Sequence, residues 1–446
     1  MSGRIRKLGW KLALVAVGAL ALPALGLQAA SAAPPKQGLV CTDGALAGTT
    51  RTFDLATSDG YIYTPDGNTV YSWGFTATAD FQLPGPALCA KEGETVVVNL
   101  TNNLPVPVSI VFPGQEGVSA TGGSCPAGAC LFTREAAASG GTVSYTFSAN
   151  RPGTYLYESG TNQPLEVEMG LYGALVIRPA LGNQFAYDAA RTEFDPAREQ
   201  VLVLAEVDPV LHLTVERQVQ AATPVRIDPT TRHVRYYLVN GRGFPDTLYD
   251  NSVPWLPNQP YGALVRVQPV DLVAAKPAMI RYANAGFDNH PFHPHGNHMV
   301  VIGRDGRLLQ GPAGEETSFQ DFTRTVGAGQ TYDLLFKWIF ADDASSGLNG
   351  QGWNPTTNPI TATIPSYRNL MFKDDDTYYG GNPYLGYRGT LPTGVVSQNV
   401  CGEYYFPWHS HALNEFVNFD EGFGGMATLL RVDPPGGASV LGKSCG

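Results

Sequence analysis

Short runs of alternating apolar and polar residues recur along most of this chain, with turn-forming residues between them. Typical runs are TVVVNLTN from position 95 and TVSYTFSA from position 142. A period of two places the apolar side chains on one face of a β-strand. The chain also has 51 glycines and 34 prolines, and it lacks convincing amphipathic helices. The pattern therefore predicts an all-β protein with many strands and turns.

Two stretches hold most of these runs, about residues 45–180 and 199–433. The polar stretch from Ala180 to Arg198 separates them and is the best candidate for a linker. Within the second stretch, about residues 339–398 are rich in Gly, Asn, Pro, Tyr and Asp. A connection of that length is unusual in a compact domain. We expect a large insertion there, which either packs on the surface or forms a mobile flap.

The first 32 residues have the form of an export signal. A basic start precedes an apolar run from Leu12 to Leu27, and Ala30-Ser31-Ala32 forms a small-residue cleavage site. We therefore expect a signal peptide over residues 1–32 and a periplasmic or extracellular protein. The alternative is an uncleaved membrane anchor. No later stretch of the sequence is long and apolar enough to span a bilayer.

The net charge of the chain argues against some classes of binding partner. The signal carries four of the 29 basic residues, which leaves 25 basic residues against 39 acidic ones and a net charge of −14 in the mature chain. Such an acidic chain repels nucleic acids and anionic membranes. We therefore expect neither as a partner.

All six cysteines lie after the signal, and an even number in an exported chain indicates disulfides. Cys125 and Cys130 share the short loop GGSCPAGAC and are expected to pair. The remaining four can close two more bridges, whose partners the sequence leaves open: Cys41, Cys89, Cys401 and Cys445. Metal ligation by thiolates is the alternative, but no cysteine adjoins the histidines described next.

Four of the eight histidines form two H-x-H pairs: His293 with His295 in HPFHPHGNH, and His409 with His411 in FPWHSHALNE. Alternate residues of a strand point to the same side, so each pair on a strand presents two imidazoles to one point. Two such strands side by side offer four imidazoles to copper, zinc, iron or nickel. The alternative is that these rings are hydrogen-bonded packing groups, kept after a metal was lost.

Phrases along most of the mature chain resemble the multicopper oxidase family, whose members are built from cupredoxin β-barrels or sandwiches. The phrases are EGETVVVNLTNNLPVPVSIVFPG and MGLYGALVIRP in the first unit, and IRYANAG, HPFHPHGNHMVVIGRDG and GEYYFPWHSHALNE in the second. The resemblance implies two cupredoxin-like Greek-key domains, at residues 45–180 and 199–433, the second enlarged by the insertion at about 339–398. It also implies copper as the metal.

A complete member of the family has four H-x-H pairs that hold a three-copper cluster, at which dioxygen is reduced. In the first unit of this chain, the corresponding phrases are SIVFPG and YESG, where Val111, Pro113, Glu158 and Gly160 stand at the histidine positions. Among these four, Glu158 alone has a side chain that binds metals. The alternative for Glu158 is a carboxylate that fills a gap. The resemblance thus implies at most one ligand from the first unit.

The position of the family's blue copper is also altered. Ser410 stands where the family has the cysteine thiolate, and Glu415 stands where it has a histidine. His290 and Met426 stand at the two other ligand positions. Without a thiolate this set is a weak site for copper. His290 and Glu415 are candidate ligands of a second metal, or Glu415 fixes the tautomer of a ligand histidine through a hydrogen bond.

The sequence therefore favours one mononuclear copper site at the four paired histidines, with zinc as the alternative ion. One interpretation is an exported oxidoreductase whose copper meets a small-molecule reductant or dioxygen. Laccase-type four-electron reduction of dioxygen is not expected, since neither the three-copper cluster nor the blue copper can form. The other interpretation is non-enzymatic copper sequestration or delivery, or a structural interaction protein. A homo-oligomer is compatible with both, because two-domain members of the family often form trimers.

Overall fold

The computed structural model describes residues 37–125, 128, 130, 133–267, 269–270, 276–295, 297–339 and 404–432. The predicted signal peptide, nearly all of the predicted insertion and the C-terminal tail lie outside these residues. The described residues form 25 β-strands and two α-helices. The predicted all-β fold is confirmed.

The N-terminal strands form a first sandwich of two sheets. Its strands are β1 (Ala45–Ala47), β2 (Thr50–Tyr63), β3 (Thr69–Thr76), β4 (Leu88–Lys91), β5 (Thr95–Asn102), β6 (Ser119–Gly122), β7 (Gly141–Ser148), β8 (Gly153–Glu158) and β9 (Tyr172–Arg178). One sheet has the order β1-β2-β5-β7-β6 with β3 paired to β2, and the other has the order β4-β9-β8. Along β5 the apolar residues Val96, Val98 and Leu100 are buried and alternate with more exposed polar or apolar ones. They form the core with Leu175 and Ile177 of β9.

The remaining strands form a second sandwich. They are β10 (Glu199–Val207), β11 (Tyr236–Val239), β12 (Val265–Val267), β13 (Pro269–Val270), β14 (Ala278–Asn284), β15 (His290–Pro294), β16 (Met299–Arg304), β17 (Arg307–Leu308), β18 (Phe319–Asp321), β19 (Arg324–Val326), β20 (Thr331–Phe336), β21 (Trp338–Ile339), β22 (Tyr404–Ser410), β23 (Val417–Asn418), β24 (Glu421–Gly422) and β25 (Ala427–Val432).

Two sheets face each other in this second sandwich. A nine-stranded sheet has the order β17-β16-β20-β14-β10-β11-β23-β24 with β18 paired to β16, and a five-stranded sheet has the order β12-β25-β22-β15-β19. Strands β13 and β21 form a separate pair. Ile280 and Leu334 of the larger sheet pack with Phe292 and Trp408 of the smaller one. The histidine-bearing strands β15 and β22 are therefore neighbours in one sheet, anchored by a buried core.

The two sandwiches share an apolar interface. Tyr172 and Val176 of β9 belong to the same buried cluster as Val201 and Val203 of β10. The proposed linker between them is packed too, since Tyr187 and Phe194 are buried against the second sandwich. The buried area at this interface holds the two sandwiches together through the hydrophobic effect.

One helix was missed at the level of sequence. Helix α2 spans Pro209–Gln220, after the short helix α1 (Gln163–Glu166). Asp208 caps α2 by accepting hydrogen bonds from the backbone N–H groups of Val210 and Leu211. Asp followed by Pro at the first helical position is a signal for the start of a helix. It was overlooked because the surrounding sequence was interpreted as alternating β-strands. Leu211 and Val215 of this helix pack into the core of the first sandwich.

Two disulfides are present among the described residues. The predicted pairing of Cys125 with Cys130 is confirmed. Cys41 pairs with Cys89, which joins the segment before β1 to strand β4. Cys401 and Cys445 lie outside the described residues. No helix among the described residues has the length and apolar character needed to cross a membrane.

Candidate metal centre

The two H-x-H pairs meet where β15 and β22 run side by side. His293 of β15 is the direct cross-strand partner of His409 of β22 in this antiparallel pair. Directly opposed residues point to the same face of a sheet. His295 and His411 follow two positions later on each chain segment, so strand alternation directs them to that same face. The backbone N–H of His411 is held by a hydrogen bond to the carbonyl of Pro291, 2.8 Å away.

The four imidazole rings form one cluster. The ring centroid of His293 lies 4.8 Å from that of His295, 5.8 Å from that of His409 and 5.2 Å from that of His411. The ring of His409 lies 5.2 Å from His295 and 5.7 Å from His411. His293 and His409 are therefore the central pair. His409 is buried, His293 and His295 are half-buried, and His411 is exposed.

Backbone carbonyls set the tautomers of the central pair. The Nδ1–H of His293 donates to the carbonyl of Phe322 at 2.5 Å, and the Nδ1–H of His409 donates to the carbonyl of Ser410 at 2.7 Å. The Oγ1 of Thr323 lies 2.9 Å from the same Nδ1 of His293. A histidine that donates through one nitrogen presents the lone pair of the other, which is the usual arrangement of a metal ligand. The Nε2 atoms are thus the available donors.

Burial favours the neutral form of three of these imidazoles. Burial, together with repulsion from the neighbouring ring of His409, lowers the pKa of His295 to about 4. Burial also lowers the pKa of His293 and of His409 below the ordinary value. Neutral imidazole is the form that binds a metal, so no proton has to be displaced from these three rings near neutral pH.

The donor atoms of the cluster are close but not yet gathered at one point. The Nε2 atoms of His295 and His409 are 3.2 Å apart. Two nitrogens that each lie about 2.0–2.1 Å from a tetrahedral metal are separated by about 3.3 Å, so this pair already has ligand spacing. Within the part of the chain that the structure describes, no three such side chains have their donor atoms arranged around one point. The donor types fit copper or zinc, and the other rings have to rotate to complete a site.

The degenerate motifs of the first sandwich also lie side by side. Val111 and Glu158 form a β-bridge, with the backbone N–H of each donating to the carbonyl of the other. The carboxylate of Glu158 accepts a hydrogen bond from Nε2 of Gln163 at 3.3 Å, and burial raises its pKa. These contacts are all within the first sandwich. A role for Glu158 as a ligand of the histidine cluster stays a prediction.

The packing around Gly160 leaves no room for a side chain at this position. A Cβ at position 160 would lie 2.6 Å from Cγ1 of Val111 and 2.9 Å from Oγ of Ser109. There is thus no space for the histidine that a complete family member has here. The first sandwich does not fit its half of a three-copper cluster.

Gly160→Ala is therefore expected to destabilise the protein by about 1–3 kcal/mol, the usual cost of overpacking a filled site. The control is Gly422→Ala, because a Cβ at Gly422 meets no atom within 4 Å. Chemical denaturation of both variants measures the change in the free energy of unfolding. Equal stability of the two variants would contradict the packing described at Gly160.

The position of the family's blue copper holds a network of charged side chains instead. Nε2 of His290 lies 3.0 Å from a carboxylate oxygen of Glu206, and Nδ1 lies 2.9 Å from one of Glu415. Arg232 forms ion pairs with Glu206 and with Glu168 of the first sandwich. Burial opposes the charge on His290, but the two carboxylates outweigh it and raise its pKa to about 9. His290 is therefore an imidazolium with both nitrogens engaged.

This arrangement does not fit a blue copper. His290 and His293 are three residues apart on β15, so they point to opposite faces of the sheet, and His290 is fully buried. Ser410 and Met426 are buried nearby, and the backbone N–H of Ser410 donates to the carbonyl of Met426 at 2.9 Å. A protonated imidazole cannot donate a lone pair to a metal. The carboxylate of Glu415 holds His290 rather than one of the four clustered histidines.

Sequence reasoning missed Glu206, Arg232 and Glu168 as members of this network. The signal was present for Glu206, because EQVLVLAEV reads as a strand that is buried on both faces yet contains a carboxylate near its end. A buried charge needs a partner. No local pattern identifies Arg232 or Glu168 as that partner, since they lie far apart in sequence.

Comparisons with known proteins agree with this architecture. A family model described as multicopper oxidase matches residues 62–181. Laccase-3 from Oryza sativa subsp. japonica is 28% identical over 299 residues, covering 64% of this chain and 45% of the relative. L-ascorbate oxidase from Nicotiana tabacum is 28% identical over 332 residues, covering 69% of this chain and 50% of the relative. The chain thus spans about half the length of these curated relatives.

Solved structures show the same fold. The blue copper oxidase from Nitrosomonas europaea superposes with a TM-score of 0.53 at 19% identity, covering 86% of each chain. The multicopper oxidase mgLAC superposes with a TM-score of 0.53 at 18% identity, covering 87% of each chain. The family model, the curated relatives and the adjacent H-x-H pairs on paired strands together show that the chain is similar to multicopper oxidases and shares their fold.

Proposed function

We propose that this chain is an exported, divergent multicopper-oxidase-like protein that binds one copper ion at His293, His295, His409 and His411. The observation that carries the proposal is the direct pairing of His293 with His409, which clusters four imidazole rings on one face. Imidazole nitrogen favours copper over the other divalent first-row ions. Zinc is the alternative ion, since four nitrogens also suit it.

Each residue has a distinct part in this proposal. The four histidines supply nitrogen ligands, and the carbonyls of Phe322 and Ser410 hold two of the rings in the tautomer that exposes Nε2. Copper bound there would supply one-electron redox chemistry. The exposed ring of His411 leaves one side of the cluster open to a small molecule. The altered first sandwich and the charged network at His290 support the proposal of a single metal centre.

The proposed activity is that of an oxidoreductase acting on a small-molecule reductant, with dioxygen as the oxidant. The competing function is copper sequestration or delivery without catalysis, which a closed shell of four histidine nitrogens would favour. Oxygen consumption with ascorbate separates the two, since one relative is named L-ascorbate oxidase. Uptake above that of an equal amount of free Cu²⁺ supports the oxidoreductase. Uptake below that level supports sequestration.

Copper loading tests the site itself. Metal-free protein incubated with Cu²⁺ and desalted is expected to retain about one copper per chain. Its electron paramagnetic resonance spectrum is expected to be of type 2, without an intense blue absorption, because Ser410 stands where a blue copper site has its cysteine thiolate. Retention of three or four coppers, an intense blue band, or no copper at all would each rule out the proposed site.

Export and assembly are part of the same proposal. Fractionation of the producing cells is expected to recover the chain outside the cytoplasm, with an N-terminus after Ala32 when sequenced. Light scattering reports whether the protein is a monomer or a homo-oligomer, and repeating it with and without copper shows whether the metal affects assembly.

A further inference from the structure

A cleft of about 390 Å³ lies on the outer face of the nine-stranded sheet. Its floor is apolar: Val300 of β16 is the direct cross-strand partner of Leu335 of β20, and Ile302 follows two residues later on the same face. Neighbouring strands of a sheet make a nearly flat surface at this scale. A volume of this size falls within the range of about 300–1,000 Å³ typical of small-molecule sites. The cleft thus has the size and floor to bind a flat apolar body.

The rim of the cleft is charged, with a surplus of positive charge. Lys276 is neutralised by an ion pair with Glu193 at 2.7 Å. Arg191 and Lys337 also line the cleft, and neither forms an ion pair with another side chain among the described residues. Glu316 is the remaining carboxylate, and it accepts a hydrogen bond from Ser318. Two cations against one carboxylate favour a ligand with a single negative charge.

One aromatic ring separates this cleft from the histidine cluster. His298 lines the cleft, and its ring centroid lies 6.0 Å from that of Phe322. The ring of Phe322 lies 5.9 Å from that of His293, and its carbonyl accepts the hydrogen bond from Nδ1 of His293. A molecule in the cleft would thus be close to the proposed metal centre without contacting it.

We propose that this cleft binds a small organic acid with a flat apolar body, such as an aromatic carboxylate. The carboxylate would pair with Arg191 and Lys337, and the apolar body would cover Val300, Ile302 and Leu335. The proposal that the acid binds here depends only on the cleft. The further proposal that the cleft is the substrate subsite of the metal centre rests on the proposed function.

Titration calorimetry of metal-free, full-length protein with benzoate tests the binding. One benzoate per chain is expected to bind. Lys337→Gln and Arg191→Gln are each expected to weaken binding at least about 10-fold, the effect of losing one charge-assisted hydrogen bond. Acetate, which lacks the apolar body, and benzylamine, which has the opposite charge, are expected to bind at least about 10-fold more weakly than benzoate. No saturable benzoate binding, or unchanged affinity in both variants, would overturn the proposal.

Lys91→Gln is the matched control, because Lys91 is an exposed cation on β4 of the first sandwich. It is expected to leave benzoate affinity unchanged, and an equal loss in this variant would show that the effect is only one of overall charge. Thermal unfolding of every variant identifies any that fail to fold. Cu²⁺ titration of the same samples tests the metal centre independently of the cleft. If the protein binds benzoate but not copper, the proposed metal centre is wrong and the proposed cleft is supported. If it binds copper but not benzoate, only the proposal for the cleft is wrong.

Discussion

Replacing His409 with alanine is expected to weaken Cu²⁺ binding by more than about 100-fold. The loss of an outer hydrogen-bond partner of a ligand already costs about 10- to 100-fold in metal affinity, and this change removes a ligand itself. Among the four proposed ligands, His409 has the closest contacts with the others: its Nε2 lies 3.2 Å from that of His295, and its ring is next to those of His293 and His411. Competition with a chelator of known affinity measures the change.

His233→Ala is the control for this experiment, since His233 is exposed and lies outside the cluster. It is expected to bind copper as the unaltered protein does. His409 is buried, so its replacement can also affect folding, and His293→Ala, at a half-buried position, provides a second variant. Copper affinity that survives in both histidine variants would mean that the ion binds elsewhere.

Glu206→Gln is expected to destabilise the protein by about 3–5 kcal/mol, the cost of leaving buried charges without their partner. The carboxylate of Glu206 lies 3.0 Å from Nε2 of His290 and 2.6 Å from Nη2 of Arg232, and it accepts hydrogen bonds from two backbone N–H groups. In the variant, the imidazolium of His290 and the guanidinium of Arg232 would each lose the negative charge of a buried partner. Urea unfolding at pH 6 measures the difference in the free energy of unfolding.

The difference in unfolding free energy between the unaltered protein and Glu206→Gln is expected to depend on pH. The folded-state pKa of His290 is about 9, above its ordinary value of 6.5, so its contribution is complete below about pH 6.5 and is lost as the pH rises through 9. A shift of this size is worth about 3 kcal/mol. Despite its burial, Glu206 has a lowered pKa because His290 and Arg232 stabilise its charge, so its contribution is lost as the pH falls below about 4.5. The stability difference between the two proteins should be largest near pH 5.5–6.5 and smaller at pH 10.

Glu116→Gln serves as the comparison, because Glu116 forms an exposed ion pair with Arg151. Exposed pairs contribute about 0–1 kcal/mol, so this variant should unfold nearly as the unaltered protein does. A loss for Glu206→Gln as small as that for Glu116→Gln, or one that is constant from pH 6 to pH 10, would show that the His290 network is not a buried charged cluster.

Much of the fold could be predicted from local sequence. The period-two pattern of TVVVNLTN corresponds to β5, in which Val96, Val98 and Leu100 are buried. The cysteine spacing in GGSCPAGAC predicted the bridge between Cys125 and Cys130. The alternation of His293 with His295, and of His409 with His411, predicted two rings on one face of each chain segment, and the cross-strand register brings the two pairs together. These features depend on neighbours in sequence, and local geometry is what a sequence encodes most directly.

Helix α2 shows why the rest was harder to predict. Its hydrophobic stripe is short, with Leu211 and Val215 packing into a core whose other fully buried residues all lie more than 30 positions earlier in the chain. Leu213 and Val210 of the same helix are exposed apolar residues that weaken the amphipathic pattern. Tertiary packing rather than periodicity stabilises such a helix.

The sequence by itself determined the all-β fold, the resemblance to multicopper oxidases and the grouping of four histidines into two H-x-H pairs. Only the tertiary structure decided that Cys41 pairs with Cys89, that Gly160 has no space for a side chain, and that His290 serves as an imidazolium between Glu206 and Glu415. The physical reason is that strand alternation is a local property, whereas the charge state of a buried group depends on every residue packed against it. For His290 those residues come from positions 84 and 125 apart in the chain, and no local pattern links them.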